Sequence, residues 1–217
     1  MKLKILLLSV FLSISLIGNT YANDFQDGLD AYNKEDYTTA FNEWQPLAEK
    51  GDSSAQNNLG WMYYSGLGLL KDYKKAAKWF TKAAEQGDAH AQDNLAYMYL
   101  YGKGIRNDFK EAVNWYTKAA EQGHAQSQFN LGKMYDDGHG VLKDYKKAIN
   151  WFTKAAEQGL ASAQLNLGTM YIDGDGVLKD LSKGKYWTQK AYDNPDASAS
   201  TRENAEHNWN EFELWDY

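Results

Sequence analysis

Cysteine is absent from the 217 residues. That excludes disulfide staples, a thiol nucleophile, a cysteine-bearing metal site and a lipid-bearing cysteine behind a leader. Basic charge is scarce. Lys and Arg number 23 against 29 Asp and Glu, a formal net charge of −6. This balance lacks the basic footprint that nucleic acid requires and opposes docking on an anionic membrane surface. Long apolar runs are scarce as well. One exists, Ile5 to Ile17 in MKLKILLLSVFLSISLIGNTYA, behind Lys2 and Lys4 and ahead of the small residues Thr20 and Ala22. It is shorter than the ~20 residues that cross a bilayer. Its layout is that of a signal peptide cleaved after Ala22. The expectation is a periplasmic or secreted chain with no membrane insertion after cleavage.

What the sequence has in abundance is repetition. KDYKKAAKWFTKAAEQG (71–87) returns as KDYKKAINWFTKAAEQG (143–159), with two changes in seventeen positions. The frame has a period of 36. Gly51, Gly87, Gly123 and Gly159 share it, as do Leu59, Leu95, Leu131 and Leu167, and Trp79, Trp115, Trp151 and Trp187. A fixed period of this size marks a solenoid, in which similar hairpins bury each other's apolar faces.

Each unit reads as two helices. Ala55, Leu59, Met62 and Tyr63 recur at the spacing of one helical face, so the first helix runs from about Asp52 to Ser65. Gly66 and Gly68 supply a turn with positive φ, and Asp72 caps the second helix. Ala76, Trp79, Ala83 and Ala84 give that helix its expected buried face. Gly60, whose equivalents are Ala96, Gly132 and Gly168, asks for small size where a helix packs close. The resulting division is a signal peptide (1–22), a variant hairpin (23–51), repeats at 52–87, 88–123, 124–159 and 160–194, and a closing helix with tail (195–217). Asp196 is the expected cap of that last helix, and Trp44 falls one position late against the Trp frame.

The pattern AQxNLGxMYxxGxGVxKDxxKAxxWxxKAAEQG resembles the Sel-1-like repeat family, relatives of the tetratricopeptide repeats, over about residues 24–194. The resemblance implies an all-α, right-handed α-solenoid of stacked helical hairpins with a C-terminal capping helix. It further implies an adaptor or scaffold that binds a protein or peptide, and some bacterial members are immunity proteins that neutralise a secreted toxin. A cysteine-rich branch linked to β-lactams shares none of its cysteines with this chain.

Catalytic signals are thin. Ser182-Lys183-Gly184-Lys185 fits the S-x-x-K of serine β-lactamases, but no S-D-N or K-T-G accompanies it, and two lysines on an exposed helix start are the better account. DGDG (173–176) hints at a calcium loop, yet its glycines already have a turn role. The four histidines show no ligand spacing and read as solvated surface. Asn58, Asn94, Asn130 and Asn166 recur and read as satisfying backbone groups between hairpins.

The informative positions vary between copies on the face opposite the buried stripe of each first helix. They include Trp61, Tyr64, Tyr97, Tyr101, Phe129, Lys133 and Asp136, with Ser162, Leu165, Thr169 and Ile172 in the last copy. The resemblance places this face on the concave surface. Clustered aromatics there are either interface anchors or partly buried against neighbouring hairpins. The reading is a non-catalytic, cofactor-free scaffold, expected to be a monomer, that binds a protein or peptide of unknown identity. A toxin-neutralising immunity protein is the alternative, and a β-lactamase-like or cell-wall hydrolase the more distant one.

Overall fold

The computed structural model describes residues 24–212, so the leader expected at 1–22 and the final LWDY lie outside the described residues. Among the described residues the chain is helical throughout, with no strand. Helix α1 covers 24–33 and α2 is Tyr37–Glu49. Four hairpins follow: α3 (Ser53–Ser65) with α4 (Tyr73–Glu85), α5 (Ala89–Tyr101) with α6 (Phe109–Glu121), α7 (Ala125–Asp137) with α8 (Tyr145–Glu157), and α9 (Ala161–Asp173) with α10 (Leu181–Asp193). Helix α11 (Ala199–Glu211) closes the order. Two compact units divide the described residues, 24–91 with 103–106 and 92–102 with 107–212.

The local signals act as the sequence implies. Asp72, Asp108, Asp144 and Asp180 each cap a second helix by accepting a backbone N–H of its first turn. The backbone N–H of each also donates to the carbonyl of Tyr63, Tyr99, Tyr135 or Tyr171 in the same hairpin, at 2.8–3.0 Å. Gly66 sits at φ +76° and ends α3 in the left-handed conformation. Gly68 has φ +69°, and an added Cβ would lie 2.7 Å from the Tyr37 Cβ. The second turn glycine thus serves both the turn and a close approach to the preceding hairpin.

The core departs from the Trp-based reading. Trp79, Trp115, Trp151 and Trp187 are only half-buried, and the Nζ atoms of Lys82, Lys118, Lys154 and Lys190 lie over their rings at 4.3, 3.8, 4.1 and 5.4 Å from the centroids. The buried ring is one position later, at Phe80, Tyr116 and Phe152. Trp44 is in frame with that position and is likewise buried, so its register is that of the true core. The small residue on the first helix faces this ring. A Cβ on Gly60 would stand 2.6 Å from Phe80, and one on Gly132 2.7 Å from Phe152. In the fourth hairpin Thr188 replaces the ring, and Gly168 and Gly184 bring α9 and α10 closer: a Cβ on Gly168 would meet Thr188 Oγ1 at 2.7 Å.

A second regularity comes from glutamine, not asparagine. Gln56, Gln128 and Gln164 are buried and donate to the carbonyls of Ala48, Ala120 and Ala156 at 2.9, 3.1 and 3.2 Å. Each also accepts from the amide at the end of its own hairpin, Gln86, Gln158 or Asn194. These side chains satisfy helix-end carbonyls that burial would otherwise orphan. The last helix is capped by Ser198, whose Oγ accepts from Thr201 N at 3.0 Å, and not by Asp196. Asn194 Oδ1 takes the Asp196 N–H instead, in a turn before the helix.

Candidate functional site

The variable face of the first helices contains the residues singled out above, and each unit presents its own set. In the first unit Trp61 is 42% exposed. Its ring stacks on Tyr64 at 5.6 Å and 16°, and its indole N–H donates to the Tyr32 hydroxyl at 3.2 Å. Tyr64 is half-buried and tilts onto Tyr73 at 5.1 Å.

In the second unit α5 and α7 build the face. Tyr97 and Tyr101 lie one turn apart, 38% and 57% exposed, with centroids 4.5 Å apart. Phe129 on α7 is half-buried and touches Phe152 of the core at 5.6 Å. Lys133 is exposed and reaches Asp137 at 4.0 Å, a pair worth about 0.3–0.5 kcal/mol at an exposed helical spacing. Leu100, Tyr101, Phe109, Phe129, Lys133 and Asp137 line a groove of about 660 Å³. His139 closes one end and stacks on Phe109 at 5.1 Å and 11°. The Phe109–His139 stack was missed from sequence, although both positions differ from every other copy.

Burial pushes the Asp136 carboxyl above its ordinary range. Asp137 adds to that shift, Lys143 and Lys133 oppose it, and Asp175 adds a little more. Asp173 is likewise raised, by burial first and then by Asp175. These four carboxylates form an acidic border at the ends of α7 and α9.

The fourth hairpin does not continue the face. Leu165 is buried with Ala191 and Ala205, and Asn208 of α11 donates to Thr169 Oγ1 at 2.9 Å. Ile172 is fully buried, in contact range of Gly184. The closing helix covers Leu165 and bonds Thr169, and Ile172 packs against α10, so these three of the residues expected to be exposed there are structural.

A polar cluster lies beside the groove. His124 caps α7, and its Nδ1 is 2.8 Å from Ser127 Oγ. Ser127 Oγ donates to Asp93 Oδ1 at 2.6 Å, and Asn130 reaches the same oxygen at 3.3 Å. Asp93 is 3.8 Å from His124 Nδ1. The histidines are therefore not uniformly solvated: His124 and His139 have fixed partners, and His207 pairs with Glu211 at 2.7 Å on the surface. His124 Nδ1 also accepts from Ser127 N at 3.3 Å, which is the geometry of a helix cap.

The S-x-x-K residues fall in the first turn of α10. Lys183 pairs with Asp180 at 3.4 Å and Lys185 lies 5.4 Å from the Trp209 ring centroid. In DGDG, Gly174 and Gly176 take φ of +83° and +72°, as turn glycines. Among the described residues no three His, Asp or Glu side chains gather as metal ligands would, and no helix is long and apolar enough to cross a membrane.

Stacked two-helix hairpins of fixed length define an α-solenoid repeat protein. The chain belongs to the Sel1 repeat family, whose model matches residues 53–88, 89–124, 125–160 and 161–196. That frame begins one residue later than the 52–87 division read from the glycines. The fold is in general a protein-interaction scaffold. A Sel1 repeat protein from Oxalobacter formigenes is similar at 37% identity and a TM-score of 0.74, over 79% of this chain and 71% of that one. A protective antigen of uropathogenic Escherichia coli with the same repeat fold is similar at 30% identity and a TM-score of 0.78. This chain is matched over 91% of its length there and spans 46% of that protein. A Sel1 repeat protein from Klebsiella pneumoniae shares the fold at 18% identity and a TM-score of 0.56, over 89% of this chain and 93% of that one. No curated protein matches the chain.

Proposed function

We propose that this chain is an exported, non-catalytic scaffold that binds a protein or peptide through the exposed aromatic residues of its first helices, with the α5–α7 groove as principal site. The observation that supports it is the exposure of Tyr97 and Tyr101 beside Phe129. The fold does not need these rings. Trp61, Lys133 and Thr169 stand at the position of Tyr97, and Ser65, Asp137 and Asp173 at that of Tyr101, in hairpins whose helices have the same length. Large aromatics kept in water at positions free to be polar suit an interface, where Tyr and Trp are the usual anchors.

Export rests on the leader pattern alone. Mass spectrometry of the native protein should find Asn23 as the first residue. Crosslinking in the native periplasm tests the site. The mature chain should hold a partner that a Tyr97→Ala, Tyr101→Ala variant of full helicity loses by tenfold or more. Equal capture by both chains would overturn this site. The identity of the partner separates a scaffold from an immunity protein.

A further inference from the structure

Lysine over an aromatic ring is a habit of this chain. Besides the four Trp–Lys pairs, Lys75 lies over Tyr63, Lys147 over Tyr135 and Lys183 over Tyr171, at 5.1, 5.1 and 5.2 Å. Lys143 lies over Tyr145 at 4.4 Å. The half-exposed rings of the second unit are thus mostly covered by cations that the same chain supplies.

The rings of the groove lack such cover. Among the described residues no lysine lies over Tyr101, Phe109 or Phe129. The second hairpin even replaces the lysine of this register, Lys75, Lys147 and Lys183, with Glu111. Lys133, the cation on the groove wall, points to Asp137. The exposed Tyr101 ring, negative at its face, lines the groove with the Asp137 carboxylate, and Asp136 is its neighbour in α7, with Asp175 close enough to add to the field there. Ring quadrupoles and carboxylates both attract cations. An anionic guest would meet repulsion from both. A purely apolar guest would cover the Asp137 carboxylate on the groove wall.

We infer that the α5–α7 groove receives an extended peptide segment of a protein partner bearing arginine, with the guanidinium laid on the Tyr101 and Phe129 faces and paired to Asp136 or Asp137. This rests on the proposed binding role of the same face. Arginine fits better than lysine because its planar head stacks on a ring while its N–H groups fork to a carboxylate. About 660 Å³ is room for a few side chains, not for a folded domain.

The test is selection of a displayed library of random 12-residue peptides on the mature chain, followed by affinity measurement of the recovered peptides. The expected result is enrichment of arginine by about twofold or more over the unselected pool. Binding of those peptides should fall about three- to tenfold on Tyr101→Ala and on Asp136→Asn with Asp137→Asn, and weaken with salt. Melting of the variants no lower than the parent's shows that loss of the fold is not the cause. Recovery of neutral or acidic peptides that still lose binding on Tyr101→Ala would overturn the arginine assignment and leave the groove as a binding site. Arginine-bearing peptides indifferent to both variants, or no recovered peptide, would overturn the groove as well.

Discussion

At the residue scale, the aromatic pair of each second helix divides its labour by one position. Phe152 is sealed against Gly132, whereas Trp151 lies half in water under Lys154. Phe152→Ala should therefore cost about 3–5 kcal/mol, as large-to-small core changes do. Trp151→Ala should cost about 1–2 kcal/mol, for partial burial and one cation–π contact. Urea unfolding of the two variants checks this, and a larger loss at Trp151 would reverse the assignment of the core. Asp136 carries a pH prediction. Its folded-state pKa lies above the unfolded value of 3.8, with burial as the main cause. The folded state therefore binds more protons between the two values, and stability falls as pH rises through that window. Above it the carboxylate penalty is complete, and below 3.8 it is gone. Asp136→Asn should melt higher than the parent at pH 7 and with it below about pH 3.5, as read by calorimetry.

At the scale of elements, the junction between one first helix and the next is keyed by residue type. Asp93 on α5 meets His124 and Ser127 on α7. The same two registers carry Phe129 and Leu160 one hairpin later, and both pack on one apolar cluster. Ordinary caps at the 124 position are acidic, as Asp52 and Asp88 show. A carboxylate at 124 would cap α7 well, but it would stand within about 4 Å of Asp93, where like charges repel. His124→Asp should therefore destabilise by about 1–3 kcal/mol at pH 7. Adding Asp93→Asn should recover most of that loss. If the double variant is no more stable than the single one, the Asp93–His124 coupling is not the cause.

For the whole molecule, the end of the repeat array decides how much surface is left for binding. Helix α11 occupies the face of the fourth hairpin through Ala205 and Asn208. Ending the chain at Ala197 should uncover Leu165, whose burial is worth about 1.5–3 kcal/mol. The Tm should drop by roughly 5–10 °C, and size-exclusion chromatography should reveal self-association through the bared apolar face. An unchanged Tm would mean that the fourth hairpin needs no closing helix. Terminal units of a repeat array meet water on one side and need such a seal.

The period, the paired helices, the caps and the turn glycines were legible in the sequence because they arise from local rules. An aspartate before a helix, or a glycine at positive φ, acts within a few residues of itself. Four in-register copies made each rule visible four times. The candidate site was legible only as a set of varying positions. Which of Trp79 and Phe80, about 100° apart on the helix, enters the core depends on how the helix is rotated where Gly60 lets the partner helix approach. Trp, in every copy, packs on the edge of the core with a lysine one turn later over its outer face. The loss of the fourth copy from the variable face, and the bare rings of the groove, were likewise decided by tertiary structure. Both depend on what a distant segment covers, α11 over Leu165 and no lysine over Tyr101, and periodicity carries no information about such neighbours.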